Sequence, residues 1–136
     1  MKVIVIFICA LVGISHQINI PKVINDFEDT VDHDSQNCYK TFDLNRQKLD
    51  GILNQKTLPN NNDNFKCFLN CVLVHLGIAD DSAKLVKDVA IKYLETDDAT
   101  ATKVYDACKD SKGPNNCESI FQIISCVHNK IRSPNI

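Results

Sequence analysis

After its first dozen residues this 136-residue chain has no apolar run that could cross a membrane, which takes about 20 consecutive apolar residues. A membrane span is therefore not expected. It also has no excess of positive charge. Its 17 acidic residues outnumber its 15 basic ones, a balance that argues against a nucleic-acid surface. No Asn-x-Ser/Thr triplet occurs, so N-glycosylation is not expected. Internal repeats and low-complexity blocks are not evident, and period-two strand patterns are scarce. Recognisable catalytic motifs are also missing. A helical, disulfide-rich phospholipase would want His-Asp beside a cysteine, and no histidine here has that neighbourhood.

What is present begins with Met1-Lys2 and the apolar stretch Val3 to Val12, followed by the small residues Gly13 and Ser15. A basic start and a short apolar run form a secretory signal peptide. Residues 1–15 are expected to be removed, with cleavage as late as Gln17, leaving residues 16–136 as one secreted, extracellular domain. Removal takes away Cys9 and leaves Cys38, Cys67, Cys71, Cys108, Cys117 and Cys126. An even number in a small secreted chain implies a disulfide framework, with 15 pairings open to six cysteines. A metal site is not expected, because Cys67 and Cys71 have no tight second pair at zinc spacing.

The chain is organised around residues 64–77. Phe65, Phe68, Leu69, Val72, Leu73 and Leu76 recur at three- and four-residue steps, which predicts a helix. Asp63 or Asn64 can cap its start and Gly77 its end. Only Lys66, Asn70 and His75 interrupt an otherwise apolar wheel, so this helix should have neighbours on most sides. Cys67 and Cys71 stand one turn apart and point to two different partners.

Around it the pattern predicts five more helices. The first starts near Pro21 with Val23, Ile24, Phe27 and Val31 on one side, and continues, with a break, through Cys38 to Phe42. The second is capped by Asp43 or Asn45 and carries Leu49, Ile52 and Leu53, with Gly51 as a weakness of about 1 kcal/mol. Residues 58–63 form a loop. The fourth is capped by Asp81 or Ser82, with Leu85, Val86, Val89 and Tyr93 aligned. The fifth starts at Thr96-Asp97-Asp98 and carries Ala101, Val104, Tyr105 and Cys108, with Gly113-Pro114 as its stop. The last starts at Asn115, with Glu118 placed for a capping box. Its stripe is Ile120, Phe121, Ile124, Val127 and Ile131. The fold class is all-α, a six-helix domain.

Between successive mature cysteines lie 28, 3, 36, 8 and 8 residues. With the strings Cys67-Phe68-Leu69-Asn70-Cys71 before Leu76-Gly77, and Cys108-Lys109-Asp110 through Gly113 to Cys117-Glu118 and Cys126, this resembles the insect odorant-binding protein family, in its pheromone and general odorant-binding group. The resemblance implies the pairs Cys38–Cys71, Cys67–Cys117 and Cys108–Cys126, each stabilising by roughly 2–4 kcal/mol. It also implies an apolar cavity enclosed by the helices, with no catalysis and no cofactor. Candidate wall residues are Leu49, Ile52, Leu53, Phe68, Leu69, Val72, Leu73, Leu76, Val89, Tyr93, Val104, Tyr105, Ile120, Phe121, Ile124 and Val127. Any one of these can equally be plain core. Tyr93, Tyr105 and Ser125 are candidates to hydrogen-bond a ligand.

The expected partner is a small hydrophobic ligand such as an odorant, pheromone or fatty-acid derivative, delivered to a membrane odorant receptor by a monomer or weak homodimer. Alternatives are a non-olfactory lipid or hormone carrier of saliva, venom or reproductive fluid, and a disulfide-rich effector acting through its surface. Among the histidines, His33 between Asp32 and Asp34 reads as a solvated acidic face. His75 reads as a core-edge residue and His128 as a partner of the helix dipole. The ten residues after Cys126 are too few and too polar to form a pocket-filling helix.

Overall fold

The computed structural model describes residues 18–133. The expected signal segment and the last three residues lie outside the described residues. α1 spans Ile20–Asp34. The Asn19 side chain accepts the Lys22 amide, and Pro21 occupies the first turn, where its missing N–H costs nothing. The chain breaks at Ser35 and resumes as α2, Gln36–Thr41; the sequence pattern called for a break without placing it. This break is what makes seven α-helices among the described residues where six were expected.

α3 spans Arg46–Leu53 and is capped by Asn45, whose side chain accepts the Lys48 amide at 2.9 Å. α4, the central helix, spans Asp63–His75. Its cap is Asn62, one or two residues earlier than expected, whose side chain accepts the Phe65 amide at 3.0 Å, while Asn64 donates its side-chain amide to the Phe42 carbonyl. Gly77 ends it at φ +75°, a conformation that strains any residue with a Cβ. The Ile78 N–H then reaches back to the Leu73 carbonyl at 2.9 Å and the Gly77 N–H to that of Val74 at 3.1 Å. These are the two bonds of a Schellman ending.

The next helix starts later than its apolar pattern predicted. Asp80 Oδ1 accepts the amides of Ser82 and Lys84, at 2.8 and 3.0 Å. Ala83 turns into a left-handed conformation at φ 60°. The Asp80 N–H bonds the Lys84 carbonyl and the Val86 N–H that of Ile78, closing a turn across an Ala79–Leu85 bridge. A short acidic side chain has outcompeted the helix for backbone donors, so Asp81 and Ser82 cap nothing. Only one α-turn, α5 (Lys87–Ala90), and one 3₁₀ turn (Ile91–Leu94) follow, stopping at Glu95 with φ 52°.

α6 spans Asp98–Cys108 under an Asp97 cap, and α7 spans Asn116–Lys130 under an Asn115 cap. The capping box at α7 is half formed. Asn115 accepts the Glu118 amide, but the Glu118 carboxylate turns to the buried Lys66 ammonium at 2.9 Å. Gly113 is required here, since a Cβ would come within 2.5 Å of Glu118 Cγ.

α4 packs chiefly along α7, and also against α2, while α6 lies on α7 and α3 on α1. Cys38–Cys71 ties α2 to α4, Cys67–Cys117 ties α4 to α7, and Cys108–Cys126 ties α6 to α7. These are the pairs that the resemblance implied. The main core holds Phe65, Phe68, Leu69, Val72 and Leu73 with Val31, Leu49 and Ile120. Phe68 stacks on Tyr39 at 5.6 Å and meets the edge of Phe42 at 6.5 Å. A second, smaller core gathers Ile18, Leu94, Ala101, Val104 and Ile131. Among the described residues no helix is long and apolar enough to cross a membrane.

Candidate functional site

A cavity of about 140 Å³ lies between the two cores. α1 contributes Val23, Ile24 and Phe27, and α3 contributes Leu53. α4 contributes Leu69 and Leu73. The irregular stretch 78–94 contributes Ile78, Leu85, Ala90, Ile91, Tyr93 and Leu94. α6 adds Val104 and Tyr105, and α7 adds Ile124, Val127 and His128, with Ile131 just beyond it. The wall is apolar except for two phenols and one imidazole. It forms because one stripe on each of five helices points inward, and the Schellman ending turns Ile78 back onto Leu73.

Eight of the residues expected from the sequence stand on this wall: Leu53, Leu69, Leu73, Tyr93, Val104, Tyr105, Ile124 and Val127. The other eight do not. Leu49, Phe68, Val72 and Ile120 are sealed in the main core, and Phe121 is buried beneath the Lys66 ammonium, 4.8 Å from its ring centre. Ile52, Leu76 and Val89 pack at the margin of that core. The cause lies in α4 itself. A helix apolar almost all round carries two working faces, and the wheel does not say which is filled and which is left empty. α1 was legible as a stripe but not as wall. Ile78, Leu85, Ala90, Ile91 and Leu94 sit in a stretch without helical period, where no signal marked them.

The polar groups of the wall differ in how they are held. Tyr93 meets Phe27 edge-on at 6.4 Å, and burial pushes its phenol pKa up. Tyr105 lies beneath Lys87, whose ammonium is 5.9 Å from the ring centre. Ser125 is not on the wall, and its hydroxyl is sealed without a partner. His128 is buried, with Nε2 2.6 Å from the Gln55 carbonyl oxygen. Burial pulls its pKa below the ordinary histidine value, the bond to Gln55 opposes this and Arg132 adds to it. The expected role at the helix dipole gives way to this inward one. Arg132 closes the same end, donating to the carbonyls of His128 at 2.9 Å and Leu53 at 3.2 Å.

His75 is exposed rather than at the core edge, while Val72 and Leu73 of the same turn are buried. His33 is exposed and bonded to Asp34 at 2.8 Å, which raises its pKa. On the far side of α1, Glu28 is buried. Burial, then Asp50, pushes its carboxyl up to about 7, although Arg46 Nε lies 3.5 Å away. Arg46 divides its charge among Glu28, Asp29 at 2.6 Å and Asp32 at 2.7 Å. All six described cysteines are in disulfides, and among the described residues no three His, Cys, Asp or Glu side chains are grouped to hold a metal ion.

A family model described as the PBP/GOBP family matches residues 22–130, from the first turn of α1 to the last residue of α7. A search of curated proteins returned no match.

Proposed function

We propose that this chain, which belongs to the PBP/GOBP family of insect odorant- and pheromone-binding proteins, is a secreted carrier that shelters a small apolar or amphipathic molecule and delivers it through aqueous fluid to a membrane receptor. The family's members bind and carry small ligands and are not enzymes. The observation that carries the proposal is the apolar cavity between the two cores. Three disulfides make up for the packing that such a space forgoes.

An engineered apolar cavity of about 150 Å³ takes benzene, and this one is of that class. A ten-carbon ligand needs more room, and the wall that can yield is the irregular stretch 78–94, held by two short turns and one isolated bridge. A ligand that removes about 300 Å² of apolar surface from water gains roughly 7 kcal/mol, which corresponds to micromolar affinity.

Titration of the oxidised protein with an apolar fluorescent probe tests this. Micromolar uptake is expected, with displacement by medium-chain ligands. Ile124→Trp, which fills the cavity, should weaken uptake at least tenfold while circular dichroism stays unchanged. A wild-type protein that takes up neither the probe nor any medium-chain ligand is not a carrier.

A further inference from the structure

We infer that the cavity selects ligands ending in a neutral hydrogen-bond donor, an alcohol above all, and that His128 Nδ1 is the atom that recognises it. This rests on the carrier function proposed above and names its ligand class. The 2.6 Å contact joins His128 Nε2 to a carbonyl oxygen, which has no proton to give. Nε2 therefore carries the hydrogen, and in the neutral ring Nδ1 is a bare lone pair. Among the described residues Nδ1 makes no hydrogen bond, and it is not one of the atoms sealed away without a partner.

The ring is kept neutral by its surroundings. It is buried in an apolar wall, and the Arg132 charge further disfavours its protonation. Two of that guanidinium's five donors go to the backbone carbonyls of His128 and Leu53.

The other polar groups of the wall do not discriminate. A tyrosine hydroxyl can give or accept a hydrogen bond, so Tyr93 and Tyr105 suit an alcohol, an ester or a ketone equally. His128 does discriminate. An alcohol O–H donates to Nδ1. An ether or ester oxygen sets lone pair against lone pair, and leaves the buried nitrogen unpaired once the ligand has displaced water. A carboxylate adds a desolvated charge to the same mismatch. The anchor lies where the end of α7 crosses the end of α3, so the apolar part of the ligand runs inward along Leu69 and Leu73.

The test is competition against a bound apolar fluorescent probe at pH 7.5, using 1-decanol, decyl methyl ether and decanoate. In the wild type the alcohol should compete about 5–10 times more strongly than the ether, one hydrogen bond's worth, with decanoate weaker still. In His128→Gln the alcohol-to-ether ratio should fall to about one. The glutamine amide can keep the donor to the Gln55 carbonyl but places no acceptor where Nδ1 stood. Nitrogen-15 spectra of histidine-labelled wild type give a reading independent of any variant. The Nε2–H tautomer should be present, and the Nδ1 resonance should move on adding decanol and stay still on adding the ether. Equal competition by alcohol and ether, or preference for decanoate, with probe uptake intact, overturns this inference and leaves the carrier function standing. Absence of probe uptake and of all three ligands overturns both.

Discussion

The two sides of α4 are built from the same kinds of residue and end in opposite states. Toward α2 and α3, the fully buried Phe65, Phe68 and Val72 gather with Leu49 and the partly buried Tyr39 and Phe42 in one core, and Cys38–Cys71 clamps it. Toward α6 and the stretch 78–94, Leu69 and Leu73 face a cavity. The filled side is made of helices whose apolar stripes are aligned and stapled. The empty side is bounded by a turn, one α-turn and one 3₁₀ turn, with left-handed residues at Ala83 and Glu95. Such a segment cannot present a continuous ridge to a helix groove. The fold's empty space therefore follows from poor interdigitation on one side and not from a shortage of large side chains.

That contrast can be broken by truncation. Phe68→Ala, on the filled side, should cost about 3–5 kcal/mol of unfolding free energy, because the sealed site cannot collapse around the lost ring. Ile91→Ala, on the cavity side, should cost only about 1–2 kcal/mol, since Ile91 is only partly buried and borders the cavity. Urea unfolding of the two variants measures both. Equal costs would mean that the two sides are packed alike.

The disulfides should differ by about 1 kcal/mol, set by the length of chain each closes. Replacing the Cys67–Cys117 pair, which closes 50 residues, by serines should cost about 4 kcal/mol, and replacing Cys108–Cys126, which closes 18, about 3 kcal/mol. Thermal midpoints of the two double variants should fall in that order, and the reverse order would show that native strain outweighs loop length.

Another effect is electrostatic and arises at Glu28 on α1. Glu28 titrates near 7 in the folded protein against 4.5 in an exposed carboxyl. Its neutral form suits the buried site, so its stabilising contribution is complete below pH 4.5 and is lost as pH rises through about 7. The loss should be roughly 2 kcal/mol, allowing for partial solvation. Glu28→Gln should flatten that limb and be the more stable protein at pH 8, as judged by urea midpoints at pH 5 and pH 8. An unchanged slope would remove Glu28 as its source. His128, on the cavity side, has the opposite sign. Its folded pKa is depressed, so its contribution is present above pH 6.5 and is lost as pH falls through the folded value.

Much of this architecture could be inferred from the chain alone, and for a local reason. Asn45, Asp97 and Asn115 cap the helices expected of them, Gly77 ends α4, and the first helix is interrupted before Cys38, as expected without a fixed position. Caps and endings depend on side-chain and backbone groups three or four residues apart, so they leave a trace in short windows of sequence. The cysteine spacing carries further, because six residues in register constrain the whole chain at once. Asp80 shows where local inference fails. Its carboxylate competes with a capping signal of similar strength at Asp81 and Ser82, and the apolar pattern from Leu85 to Tyr93 does not reveal the winner.

The chain's own pattern was enough for the helical class and the list of apolar side chains from which a wall could be made, and the disulfide pairs came with the resemblance that the cysteine spacing carries. Tertiary structure alone decided which of those side chains became wall and which became filler. Phe68 and Leu69 are neighbours on one helix, and one is sealed against rings while the other borders empty space. It likewise turned His128 inward, onto a carbonyl 73 residues away. Hydrophobicity is non-directional, so a pattern of apolar residues specifies that a face is buried. Whether the space opposite that face is filled depends on the shape of a segment far away in the chain.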